Sequence, residues 1–524
     1  MIRKRTSSFK PRLEALDDRL CPSSYSVTDL GTLGGTYSTA ADINNASQVQ
    51  VVGYANTAAD AAQHAFLWQS GKMIDLGTLG GTNSNASALN NSGQVVGAAD
   101  TGAIVNGYNV YHAFLWQSGV MTDLGTTPGS LESYANDINS ASQVEVVGKT
   151  GALDANGYLV WHAFAWQNGV MTDLNSLLPA NSGWVLQTAN AINDSGQIAG
   201  WGTINGQTHA FQSSGGVVTD LGGGTYVRAY DINNAGQVIG QSPMKNTQGR
   251  AFLYSGGVMT NLGSIYTGAQ SSSVAYGINS STQVVGNSSN FLHNGTTVQH
   301  AILWQSGQMT DLNKLIPSNS GWVLSNAFGI NDTGRIMGQG TINNQTHAFL
   351  AIPSSPLLAA AAPIHGAATA TSITVSQVQP LLSEAISRWA AAGVDTSMLG
   401  NIQVAVADLP GQELGLASGH TIWLDDNAAG WGWFVDRTPR SDSEFTMPGN
   451  QGEEHRMDLL TVLEHEVGHL LGHDHDEGGV MAEALSAGER WTPSGVYVDG
   501  PRLFADPSGA DEALDSVTGR RKGW

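Results

Sequence analysis

One cysteine, Cys21, stands among 524 residues, so no disulfide within the chain can hold its fold together and no cysteine-rich zinc site can form. Charge is scarce at 12%, and 22 basic against 43 acidic side chains leave a formal net charge of −21. Basic clusters interleaved with aromatics are missing, so the chain should repel nucleic acid. No apolar run approaches the roughly 20 residues that a bilayer-spanning helix needs. The first residues, MIRKRTSSFKPRLEALDDRLCPS, are basic at the start but lack the apolar centre of an ordinary signal peptide. Glycine, by contrast, is abundant at 65 residues, and the length exceeds what one ordinary core can organise. At least two domains are expected.

From Tyr25 to Pro353 one sentence is repeated: Ala-x-Asp-Ile-Asn, Gly-Gln-Val-Val-Gly, His-Ala-Phe-Leu-Trp, Gly-x-Met-Thr-Asp-Leu-Gly. Its Ile/Leu-Asn element recurs at Ile43, Leu89, Ile138, Ile192, Ile232, Ile278 and Ile330, spaced 40 to 54 residues apart, the range of propeller blades. Each copy has four β-rich segments separated by Asn-Ser-Gly and Ser-Gly turns, so each reads as a four-stranded sheet. The last copy ends at HAFLAIP (347–353) without a fourth strand, whereas an unpaired SVTDLG (26–31) precedes the first. Pairing the two would close a seven-bladed ring and cover its open edges; an open solenoid, which shares this local pattern, is the alternative. The histidines His64, His112, His162, His209, His300 and His347 recur once per blade, too far apart to share an ion, and are read as structural. Any ligand of the propeller belongs on its irregular loops.

A second signal lies near the other end, in HEVGHLLGHDH (465–475). Residues four apart on a helix share a face, so His465 and His469 can offer two imidazoles to one metal ion. Gly472 is placed to end the helix and bend the chain, returning His475 as third ligand. Three protein ligands with an open fourth position is the catalytic arrangement for zinc. Glu466 follows the first ligand, where it can serve as general base. Glu483 or Glu489 is the alternative third ligand, disfavoured by the pairing of Gly472 with His475.

Here the sequence resembles the metzincins, and among them the matrixin-like peptidases, over Ser372 to Ser486. Met481, in GGVM (478–481), stands where that group has a methionine turn, a floor for the site. SEAISRWAAAG (383–393) looks like its opening helix, with Trp389, and HTIWLDDNAAG (420–430) is similar to the strand and loop that border its substrate cleft. His473 and the short run to Met481 depart from the pattern. The resemblance implies an α+β domain, zinc endopeptidase activity, an extended peptide antiparallel to the strand near Thr421–Leu424, and calcium as an option, for which Asp425, Asp426 and Asp436 offer oxygens. The array resembles the HAF family of extracellular repeats, named for the His-Ala-Phe at 64, 112, 162, 209 and 347, which implies a surface location and a binding role. PRLEALDDRLCPS resembles a short leader of bacterial surface and secreted proteins, which implies export. Cys21 could cap the zinc as an inhibitory thiolate, but an incidental leader residue is the simpler reading.

The resulting expectation is a multidomain chain: a leader (1–24), an all-β propeller (25–353), an Ala/Ser/Thr/Pro linker (354–371), a zinc peptidase domain (372–490) and a weakly structured tail (491–524). Its expected partners are a protein or peptide substrate and a surface ligand of the propeller. The competing expectation is a surface binding or adhesion protein whose peptidase domain binds zinc but is inactive.

Overall fold

The structure, a computed structural model, describes residues 25–46, 48–223, 227–243, 249–268, 270–292, 295–353, 356–363, 372–400, 402–409, 411–418, 421–446, 453–471, 473, 475 and 479–493. The leader with Cys21, most of the linker, Gly472 and the tail beyond Pro493 lie outside the described residues. The chain divides into two compact units, Met1–Ser354 and Ser355–Trp524. No helix among the described residues is long and apolar enough to cross a membrane.

The first unit is a ring of blades. Five separate four-stranded sheets, from Ser84–Leu89 onward to Gln308–Asp311, follow one another in chain order. The remaining strands form an eight-stranded sheet, which is two blades joined by a single parallel bridge between Tyr37 and Thr346. Blade seven consists of Val323–Ile330, Ile336–Ile342 and Gln345–Pro353. Its fourth strand is Tyr25–Asp29, antiparallel in the register Tyr25 to Pro353 and Asp29 to Phe349. The closure expected from the ends of the array is therefore the closure observed.

The repeated sentence is explained by what each word touches. The phenylalanine of His-Ala-Phe is fully buried at Phe66, Phe114, Phe164, Phe211 and Phe349. The tryptophans two positions on, such as Trp68 and Trp116, are only half-buried and pack at the margin of the same clusters. Each innermost strand carries a bulge at the same position of the repeat, as between Ala40 and Asp42 or Ala135 and Asp137. The glycine of Val-Val-Gly lies opposite, and a Cβ at Gly53 would collide with the Thr39 carbonyl oxygen. The asparagines that end the inner strands link the blades. Asn44, Asn90, Asn193, Asn233 and Asn279 each donate from Nδ2 to the equivalent backbone carbonyl one blade on, at 3.0 to 3.3 Å. Asn331 does the same at 3.2 Å to Asn44, from blade seven back to blade one.

A cavity of about 270 Å³ on the ring axis is lined from all seven blades. Asp42, Asp137 and Asp231 face it from blades one, three and five. Each carboxylate spans two blades, accepting the amide of its own following residue and that of Leu89, Ile192 or Ile278 respectively. At the outer strands, His64, His112, His162, His209 and His300 each bond Nδ1 to an aspartate eleven residues on, at 2.7 to 3.1 Å. In blade seven His347 finds Asp29 instead, 2.8 Å away on the closing strand. The repeated histidines are clasps between strands, as their spacing implied.

The second unit holds a mixed five-stranded sheet in the order Gln403–Ala407, Thr421–Asp425, Glu413–Ser418, Leu357–Ala359, Ala484–Leu485. Against it lie a 17-residue helix, Val375–Ala391, and a 12-residue helix, Leu459–Leu470. The expected linker is thus corrected in part: Leu357–Ala359 is a strand, because Leu357 and Ala359 alternate inward and are each 2% exposed. Only one further α-helix, the four residues Ser443–Thr446, occurs among the described residues, with short 3-10 turns at Ser397–Leu399 and Gly479–Met481 in this unit. The chain is mostly β, and helices this few do not make the expected α+β domain of metzincin type.

Candidate metal centre

The helix Leu459–Leu470 positions the site. Asp458 caps it, accepting the Thr461 amide at 3.1 Å and the Thr461 hydroxyl at 2.7 Å. Every residue from Leu459 to Gly468 is buried, so the helix runs through the core and not along the surface. Gly468 allows that depth: a Cβ there would strike Met481 Sδ and come within 2.8 Å of Trp389 Cζ2. Met481 is accordingly buried against the helix. After Leu471 the chain turns back, with the His473 amide bonded to the Gly468 carbonyl at 3.0 Å. The bend assigned to Gly472 falls outside the described residues.

This course brings the three sequence-predicted ligands together. His465 Nε2 lies 3.0 Å from His469 Nε2 and 3.1 Å from His475 Nε2. Neither Glu483 nor Glu489 belongs to this group. The opposite ring nitrogens are engaged: His465 Nδ1 donates to the Val480 carbonyl at 2.7 Å, and His469 Nδ1 to that of His473 at 2.9 Å. Those bonds fix the tautomers and leave Nε2 lone pairs facing one another. Lone pairs at such separations repel unless a cation sits among them. Burial, then the His469 and His475 rings, drive the His465 pKa well below its usual value, against the pull of the Val480 carbonyl. The neutral imidazole so favoured is the form that binds metal. Three imidazoles converging with no fourth protein ligand among the described residues fit zinc at an open site.

Glu466 is fully buried, and neither carboxyl oxygen has a hydrogen-bond partner. Burial pushes its pKa well above the usual range. The nearby backbone amides of Ala417 and Leu357 oppose the rise and the Glu413 charge adds to it. Gly415 makes room for it, since a Cβ there would come 2.9 Å from Glu466 Oε1. A carboxyl next to a ligand in the chain, with its pKa raised, can both take and return a proton.

Behind the helix lies an ionic hub that sequence reasoning missed. Arg490, fully buried, bonds Asp458 and Asp436 at 2.8 Å and Asp442 at 3.0 Å, and stacks over Phe445. Arg388 bonds Asp442 at 2.8 Å and lies 3.3 Å from Glu464, whose carboxyl burial also pushes well above the usual range. Nothing in the local spacing marks Arg490, which sits where the domain was expected to end. Asp436 therefore does not join Asp425 and Asp426 as a calcium trio; Asp408 takes its place in that cluster. Asp425 already accepts the amides of Leu409, Asn427 and Ala429, which accounts for it without an ion. Trp389 donates Nε1 to the Glu464 carbonyl and stacks on His473, which gives that unexpected histidine a packing role.

Residues 77–228 and 223–350 match the model of a family described as "Protein of unknown function (DUF3466)". No curated protein matches the chain. Similar solved structures include a Trypanosoma rangeli sialidase with the inhibitor DANA, at 12% identity and TM-score 0.31, covering 61% of this chain and 58% of that one. The acylaminoacyl peptidase of Pyrococcus horikoshii follows at 10% identity and TM-score 0.35, covering 62% and 52%. The β-propeller domain of the trilobed protease from Pyrococcus furiosus is 9% identical with TM-score 0.29, covering 54% and 97%. The chain spans 58% to 61% of the first sialidases it resembles. The matched family ends at residue 350, before the segment on which the likeness to metzincins and matrixins was drawn, and helices are too few to restore it. That identification is not upheld. The HAF identification of the array likewise gives way to DUF3466.

Proposed function

The chain belongs to the DUF3466 family through its repeat array, and from that premise we propose that the array is a binding module and the second unit a zinc-dependent hydrolase of peptide bonds. The convergence of His469 and His475 Nε2 on His465 Nε2 at 3.0 and 3.1 Å, with the buried Glu466 next to His465 in the chain, carries the reading. Zinc held by the three histidines would supply Lewis acidity toward a substrate carbonyl. The chain's own groups do the rest. Glu466 takes a proton from the attacking water and returns it to the leaving amine, a task suited to its raised pKa. The Val480 and His473 carbonyls hold the ligand rings in orientation. We place the substrate among proteins or peptides and the molecule outside the cell or at its surface, as the leader pattern suggests.

A second reading, a zinc-binding but inactive domain joined to a working adhesion module, draws support from the complete enclosure of Glu466. One substitution separates them. Glu466→Ala should keep the zinc, measured by metal analysis, while hydrolysis across a peptide library falls about 10²- to 10⁴-fold. A zinc-loaded protein that cleaves nothing, including after the strand Leu357–Ala359 is released, would leave only the second reading.

A further inference from the structure

The strand expected to border a bound peptide, Thr421–Asp425, is an inner strand, paired on one side with Gln403–Ala407 and on the other with Glu413–Ser418. The edge nearest Glu466 is Glu413–Ser418, and its outer side is taken by Leu357–Ala359. That short strand lies antiparallel to it, Leu357 opposite Gly415, and parallel to Ala484–Leu485 on its other flank. Backbone bonds hold it: Leu358 donates to Glu483 at 3.1 Å, Ala359 to Gln412 at 2.8 Å and Ala360 to Leu485 at 2.9 Å. Leu357 points inward, and its amide is one of the two that temper the burial of Glu466.

Three features mark this strand as an occupant of the sheet and not a founding member. It comes from Ser355–Pro363, a run of Ser, Pro, Leu and Ala without one charged side chain. Leu358 is 38% exposed, which leaves Leu357 as its one large inward side chain. Its ladder consists of main-chain bonds, which any extended segment of the right length can make. An edge strand beside a carboxyl such as Glu466 would otherwise stand open.

We propose that the gap between Glu413–Ser418 and Ala484–Leu485 is a binding slot for an extended, uncharged peptide with a leucine-sized inward side chain, and that this chain fills it with its own residues 357–359. A partner peptide enters by displacing that strand. The consequence for catalysis rests on the peptidase reading: the slot is the substrate's path past Glu466, and the unreleased chain is latent. Occupancy itself does not depend on zinc.

The test uses the full chain and a fluorescent peptide of sequence SPLLAAAAP, followed by anisotropy with metal chelated. Leu357→Asp places a charge in the hydrophobic core that Leu357 occupies, and Ala359→Pro removes the amide bonded to Gln412. Both should take up the peptide at least ten-fold more tightly than the unaltered chain. Loaded with zinc, both should hydrolyse a susceptible peptide at least ten-fold faster. Two folded variants that take up no peptide would overturn the proposal, as would loss of the second unit's melting transition in both, since the strand would then be part of the fold. Uptake without hydrolysis leaves the slot standing and overturns the peptidase reading alone.

Discussion

The ring and the helix Leu459–Leu470 treat buried polar groups in opposite ways. In the ring, asparagine amides, aspartate carboxylates and histidine rings recur blade after blade, and each is answered by a fixed partner on the next strand or the next blade. In the helix Leu459–Leu470, Glu464 and Glu466 are buried two residues apart, Glu464 answered by Arg388 at 3.3 Å and Glu466 only by the backbone amides of Ala417 and Leu357. A repeated structure spreads its polar costs over many equivalent contacts, so no single one is decisive. The helix concentrates an unfavourable burial at one turn, beside three converging imidazoles, which is where physical reasoning looks for a site.

The sharpest way to break this contrast is at the one contact the ring does not repeat. Deleting residues 25–31 removes the fourth strand of blade seven, with buried Tyr25 and Leu30. At about 1.5–3 kcal/mol for each large buried side chain, the array should lose roughly 3–6 kcal/mol, seen as a lower melting transition. An unchanged transition would mean that closure is dispensable. Next in size is Arg490→Ala, which strands Asp436 and Asp458 as buried charges. Breaking a buried pair in this way costs about 3–5 kcal/mol. The loss should appear in the second unit's transition only, and calorimetry that showed it in both would undo the separation of units.

A smaller effect should follow pH. Enclosure around the axial cavity pushes the Asp42 pKa up to about 7 and Asp231 up to about 6, and raises Asp137 well above its usual value with help from the charges of Asp42 and Asp231. These carboxyls bind protons more tightly folded than unfolded, so their stabilising contribution is full below about pH 4 and is lost as pH rises through 6 to 7. Because these side chains are only partly buried, Asp42 and Asp231 each contribute on the order of 1–2 kcal/mol. Alanine, the residue blades two and four carry at this position, should flatten the dependence when placed at all three. An equally steep slope in that triple variant, measured by denaturant melts from pH 4 to 8, would assign it elsewhere. Smallest of all, His209→Ala should cost less than about 1 kcal/mol, because its pairing with Asp220 is solvent-exposed and is one of several. A loss several times larger would show that the clasps act together.

Much of this was legible along the chain wherever partners are near in sequence or repeated. The blades declared themselves through a recurring sentence, their closure through a strand left over at each end, and His465, His469, Glu466 and His475 through spacing within eleven residues. What stayed hidden depends on pairings without period. Arg490 meets Asp458 across 32 residues and Asp436 across 54. Leu357–Ala359 looked like linker because Leu-Leu-Ala among alanines carries no alternation, and its strand character comes from the two edges that receive it. The family likeness drawn from the histidine stretch went further than the known families support, since a few well-spaced residues describe a chemistry more securely than an ancestry.

The closing strand also sets an order of events during synthesis. Asp29 and its partner His347 are 318 residues apart, so at about 5–20 residues per second the first strand waits roughly 15 to 60 seconds for the ribosome to make its mate. Through that interval the blades can assemble only as an arc with two raw edges. A chain cut short anywhere before blade seven keeps those edges for good and remains open to chaperones and proteases, whereas a finished one hides them in a single pairing step. The ring thereby reports, in its own geometry, whether the array has been translated to its end.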